Sequence, residues 1–165
     1  MGWWCTREQG HADLVTLRIR QYVYFTVVSS FVAAAEMATV IGLAPDRATV
    51  RGSRRSTEPP APRYHAWDLV CDDRGMQVGE QLEQLIGRLR PYRSRIRKLV
   101  DDLQAREGDM AGAKLQVVRY LDDEDGEADG WQHRLLGWHL TEDVLRFVLD
   151  LGAEIDVDEY GQDDE

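Results

Sequence analysis

Cysteine is scarce in this chain. Of 165 residues only Cys5 and Cys71 carry a thiol, with neither the CxxC spacing of a metal site nor the number needed for a disulfide framework. They read as reduced thiols. No apolar run approaches the roughly 20 residues of a membrane-spanning helix, and residues 1–10 lack the basic start and apolar core of a secretion signal. The expectation is a cytoplasmic protein with no membrane contact. Basic residues are outnumbered, 20 against 30 acids, for a formal charge of −10. That balance argues against non-specific nucleic-acid binding, which needs a basic surface to displace counter-ions. Catalytic signatures are missing too: the chain has no HExxH, no GxSxG and no glycine-rich phosphate loop.

What is present suits one globular domain. The hydrophobic content is 43%, and a chain of this length can bury a core without covalent staples. The expected organisation is a loosely attached N-terminal extension over residues 1–16, a single domain over 17–161 and an acidic tail over 162–165. Charge is unevenly placed. Asp122 to Asp129 carries six acids and Glu154 to Glu165 seven, whereas Arg47 to Arg63 carries five arginines opposed only by Glu58.

The near-terminal run His139 to Gly161 is the clearest structural signal. Thr141 is placed as an N-cap, Glu142 and Asp143 put carboxylates in a first turn with unpaired N–H groups, and Gly152 is a stop. Val144, Leu145, Phe147, Val148, Leu149 and Leu151 form the apolar face. The period then changes from 3.6 to 2, Ala153, Ile155 and Val157 alternating with Glu154, Asp156, Asp158 and Tyr160 as a half-buried strand.

Upstream, residues 17–28 alternate as a long first strand, expected to be central: Leu17, Ile19, Val23, Phe25 and Val27 on one face, Arg18, Arg20, Tyr22, Tyr24 and Thr26 on the other. Ser29 or Ser30 is expected to cap a short helix through Ile41, with Val32, Met37, Val40 and Ile41 on its apolar side and Gly42 ending it. Residues 44–65 hold four of the five prolines and read as an irregular loop. Trp67, Leu69 and Cys71 alternate as a second strand. Residues 77–107 are helical with a break at Pro91, and Arg97 with Asp101 and Lys98 with Asp102 have salt-bridge spacing on a solvated face. Further strands are expected at 114–121 and 131–140. Parallel crossovers are expected from the fourth strand to the fifth and from the first to the second. The sum is an α+β two-layer sandwich, a mixed sheet of about five strands with helices on one face, broadly ferredoxin-like.

Candidate chemistry is sparse. With Gly126 at the turn position of a calcium loop, Asp123 and Asp125 fit, but Leu121 and Gln132 fall where the first and last ligands belong. His133 and His139, on one strand, lie about 20 Å apart and do not share an ion. Asp156 and Asp158 share a strand face with Tyr160, and such a pair can bind a cation or share a proton, although charges on an edge strand also serve simply to block aggregation. Cys71 beside Asp72 and Asp73 lacks the cationic surroundings of a reactive thiol. No metal and no cofactor is expected.

An aromatic first strand YVYF, a helix ending in IGLAP, an Arg/Gly/Pro loop with Gly52 running into AWDL, a leucine-rich helix and a closing LGAEIDVDEY together resemble the bacterial domain of unknown function family 4279. The resemblance covers Tyr22 to Tyr160, and it implies no catalytic residue. In size and style such families are similar to immunity proteins of bacterial toxin systems. Two expectations follow. The first is a non-enzymatic, immunity-type inhibitor whose Asp122, Asp123, Glu124, Asp125, Asp156 and Asp158 meet a basic toxin surface. The alternative is a small-ligand or enzymatic domain in which Arg54, Arg55 and Arg63 bind an anion beside a wall made by Trp67. Self-association stays open.

Overall fold

In the computed structural model the described residues are 16–54, 61–124 and 137–161, the side chains of 16–18 and 122–124 aside. The elements run β1 (Thr16–Ser29), α1 (Ala34–Ile41), β2 (Arg47–Thr49), β3 (His65–Cys71), α2 (Val78–Leu89), α3 (Arg93–Glu107), β4 (Gly112–Glu124), α4 (Glu142–Asp150) and β5 (Ala153–Gly161). Five strands form one mixed sheet in the order β2-β3-β1-β4-β5. β1 is central, antiparallel to both β3 and β4, while β5 runs parallel to β4. This is the expected α+β sandwich.

Two expectations about connectivity change. The first and second of the long strands, β1 and β3, are antiparallel and not joined by a parallel crossover. The parallel crossover at the C-terminal end exists, but it links β5 to β4. Of the strand expected at 131–140, residues 137–140 have no regular structure and the remainder lies outside the described residues. The fifth strand is instead β2, three residues inside the supposed irregular loop, paired to β3 by Arg47 opposite Asp68 and Thr49 opposite Ala66.

Period-2 alternation sorts the strands into two faces. Val23, Phe25, Val27, Trp67, Leu69, Leu115 and Val117 point toward the helices and form one buried cluster with them. α2 supplies Val78, Leu82, Leu85, Ile86 and Leu89, and α3 supplies Ile96, Leu99, Val100 and Leu103, each a stripe at helical spacing. Glu80 reaches back to accept from the Gln77 N–H at 3.0 Å and starts α2. Pro91 sits in a 3₁₀ turn, Arg90–Tyr92, where its missing N–H breaks the helix in two. The solvated pairs Arg97 with Asp101 and Lys98 with Asp102 form, each at 2.9 Å.

Three local expectations are corrected. α1 starts at Ala34, so neither Ser29 nor Ser30 is its cap. Ser29 instead stabilises the turn before the helix, its Oγ accepting from Val32 N at 2.8 Å and donating to Glu107 at the end of α3. Val40 is half exposed, leaving Ala34, Met37 and Ile41 as the buried stripe. In α4 Thr141 does cap, accepting from Val144 N, but Leu145 and Leu149 face outward and the buried side is Val144, Phe147 and Val148.

Candidate functional site

Among the described residues no helix packs with the outward set of the sheet, and this second face is where polar groups converge. Alternation on β1 puts Tyr22, Tyr24 and Thr26 there, and the registers bring Asp68 of β3 and Lys114 of β4 opposite Thr26, and Gln116 opposite both Tyr24 and Asp156 of β5. All of these but Tyr22 border an open groove of about 740 Å³, whose rim includes Arg47, Tyr64 and Asp156.

The floor of the groove is Asp68. It sits mid-strand between Trp67 and Leu69, so backbone alternation alone aims it away from the core. Its side chain is 12% exposed. Thr26 Oγ1 donates to Asp68 Oδ1 at 2.6 Å, and Arg47 Nε lies 4.0 Å from Oδ2. Burial pushes the Asp68 carboxyl above its ordinary value, with the Thr26 bond and the Arg47 charge pulling the other way. Beside it, burial and then the Asp68 charge push the Tyr24 phenol up to about 12.

Aromatic rings and guanidinium groups pair along the same face. Tyr22 and Tyr24 stack with centroids 6.1 Å apart, and Arg47 lies 5.1 Å from the Tyr24 centroid. Across the sheet Tyr120 and Tyr160 stack at 5.0 Å, with Arg20 4.3 Å above Tyr120. Burial, followed by the neighbouring Tyr120, raises the Tyr22 phenol, and the Asp158 charge raises Tyr160.

Asp156 and Asp158 share this face, as their spacing implies, but each has its own donor from β4. Lys114 Nζ is 3.4 Å from Asp156 and 3.7 Å from Glu154, and Gln116 Nε2 donates to Asp158 at 2.9 Å. The two carboxylates thus have separate donors on β4. Asp122, Asp123 and Glu124 lie in the last turn of pairing of β4, their backbones opposite Arg18, Leu17 and Thr16, while their side chains are outside the described residues. Asp125 and Arg55 lie outside the described residues altogether.

The arginine loop does not assemble as expected. Arg54 forms a backbone bridge with Ala61 and is exposed, as is Arg63, and neither borders the groove. Trp67 is fully buried with its Nε1 donating to Leu43 O at 3.1 Å, so it is core and no ligand wall. Among the described arginines of that cluster, Arg47 reaches the groove. Sequence reasoning gives Asp68, Thr26, Tyr24 and Lys114 no role in a site. Their one visible signal is a carboxylate in the middle of the apolar strand AWDLV.

Elsewhere, Cys71 is a free, buried thiol donating to Gln84 Oε1 at 2.9 Å, and burial raises its pKa. Among the described residues no group of three or more His, Cys, Asp or Glu side chains is arranged to hold a metal ion, and no helix is long and apolar enough to cross a membrane.

No curated protein and no solved structure matches the chain. A family model does, over residues 19–162, a span that contains β1 from Ile19 onward, the whole helical layer and all of β5. The chain belongs to the family described as Domain of unknown function (DUF4279).

Proposed function

We propose that this protein is a non-enzymatic binding module whose partner is a protein with a basic surface, in its most concrete form an immunity-type inhibitor that occludes a toxin in the cytoplasm. The observation that carries the reading is the sheet face opposite the helical layer, over which no helix lies among the described residues. That face pairs tyrosines with arginines, the residue types that anchor protein interfaces, and it is bordered by the acids of the edge strand β5. On this face Glu154 and Asp156 are 76% and 45% exposed. A basic partner is drawn to such an edge by the long-range field and oriented on it before contact. The net charge of −10 acts in the same direction.

Affinity purification from the native host, with Asp156→Lys/Asp158→Lys in parallel, tests this. The expected result is a stoichiometric basic protein retained by the native chain and released by charge reversal. No partner in either sample, or one equally retained by both, contradicts it. The alternative, an anion site in the arginine loop, has less support, because Arg54 and Arg63 are exposed outside the groove and Trp67 is in the core.

A further inference from the structure

The groove over Asp68 has a more specific chemistry than the face around it. Its two cations are already engaged. Lys114 leans toward β5, where Glu154 and Asp156 take its charge, and Arg47 lies over Tyr24 with its side chain 51% exposed. Asp68 is the opposite case. It is nearly buried, and of its two oxygens only Oδ1 accepts a hydrogen bond among the described residues. Oδ2 has Arg47 Nε at 4.0 Å, beyond hydrogen-bond distance. A carboxylate has room for about four hydrogen bonds, and a desolvated one gains most from a charged donor.

The position of Arg47 indicates which cation fits. A guanidinium stacked on a tyrosine and facing a carboxylate is a recurrent recognition geometry. Here a side chain from the three-residue edge strand β2 adopts it loosely, within the chain itself. The space beside it, about 740 Å³, is of the order of ordinary ligand sites.

We infer that this groove receives the guanidinium of an arginine side chain from the protein partner, with Asp68 as its counter-ion, Thr26 fixing the carboxylate and Tyr24 and Tyr64 as flanking rings. The inference rests on the partner being a basic protein. It assigns that partner an anchoring arginine at the centre of the contact, whereas the acids of β5 steer from the edge.

The test is an amide NMR titration of the intact protein with N-acetyl-arginine amide, and with N-acetyl-citrulline amide as the neutral isostere. The arginine probe is expected to shift the amides of Thr26, Asp68 and Gln116 and to bind roughly tenfold more tightly than the citrulline probe, as the loss of one charge-assisted contact implies. Asp68→Asn, which keeps the shape and an acceptor for Thr26, should abolish the difference. Shifts elsewhere, no shifts into the tens of millimolar, or equal affinity for the two probes on the native protein overturn the inference, and the last comparison needs no variant. The purification separates the two readings. A partner retained equally by the native chain and by Asp68→Asn removes the pocket and leaves the binding reading intact. Selective arginine binding without any partner removes the binding reading and leaves the pocket.

Discussion

Asp46 and Arg88, 42 residues apart, meet at 2.9 Å and between them take up the backbone of Val70. Asp46 Oδ2 accepts from Val70 N at 2.7 Å, and Arg88 Nη1 donates to Val70 O at 2.8 Å. β2 pairs with β3 only from Ala66 to Asp68. Beyond it, the edge of β3 would present an open N–H and C=O, so two side chains complete the ladder that the short strand leaves unfinished. The same pair ties the helical layer to the edge of the sheet, on the side where Arg47 enters the groove.

Removing this clamp should have a pH signature. The Arg88 hydrogen bond, aided by Val70 N–H, lowers the Asp46 carboxyl below its ordinary value of 3.8. A depressed carboxylate stabilises the fold at pH above its unfolded value, and the contribution is lost as pH falls through the folded value. Asp46→Asn is therefore expected to cost about 1 kcal/mol near neutral pH, a modest figure because both side chains are more than a third exposed and screened. Urea unfolding of both proteins checks this, and a difference that persists unchanged well below 3.8 would contradict the assignment to Asp46.

A second prediction concerns Gly42, which ends α1 at φ 78° with its N–H bonded to Ala38 O. Arg95 Nη1 donates to Ile41 O at 3.1 Å and lies where a Cβ on Gly42 would stand. Gly152 repeats the arrangement at the end of α4, with φ 65° and Arg97 Nη1 2.7 Å from its would-be Cβ. Gly42→Ala should cost about 1–2 kcal/mol from the left-handed backbone alone, plus a part due to the displaced guanidinium. In an Arg95→Ala background only the backbone part should remain, so a thermal-melt double-mutant cycle is expected to be non-additive. Additive costs would mean that Arg95 simply moves aside.

IGLAP and LGAEI are thus legible in the sequence as two helix stops, but the arginines over them are not, because α3 reaches both only through tertiary packing. β1, the break at Pro91 and the α4–β5 run can be read because each has a long period or an unambiguous breaker. β2 cannot: three residues carry no period, and only pairing with β3 makes them a strand. The exposure of Leu145 and Leu149 escapes for a similar reason, since apolar content does not say how wide a face the neighbouring elements cover. The groove is harder still. Thr26, Asp68 and Gln116 come from three strands whose registers, and not their spacing in sequence, bring them together.

The proposed partner contact should depend on salt. Attraction between an exposed acidic edge and a basic surface is screened over about 8–10 Å at physiological ionic strength. Raising salt is expected to slow association more than it speeds dissociation, and Asp156→Lys/Asp158→Lys should flatten that dependence. Surface-plasmon kinetics on the purified complex would read both rates. An association rate indifferent to salt would leave the β5 acids without a steering role.

The groove predicts a pH dependence of its own, with the opposite relation between charge and stability. Burial holds the Asp68 carboxyl above 3.8, so the folded state binds this proton more tightly than the unfolded chain does. Stability from this group is then fully present below the unfolded value and declines as pH rises through the folded one. Asp68→Asn should escape that decline and remain folded at neutral pH. Binding of a guanidinium needs the carboxylate. Affinity for N-acetyl-arginine amide should therefore fall on acidification, beginning at a higher pH than an ordinary aspartate would cause. The groups facing Asp68 are Thr26 and Tyr24 from β1, Arg47 from β2, Tyr64 before β3, Lys114 and Gln116 from β4 and Asp156 from β5. Tyr24, at about 12, stays neutral throughout. Asp156 is the competing carboxylate, so the profile is to be measured in Asp156→Asn as well. Retention of the acid-side fall in Asp156→Asn and its loss in Asp68→Asn would locate the titrating group at the floor of the groove. The reverse pattern would move the cation to the Lys114 edge and away from Thr26.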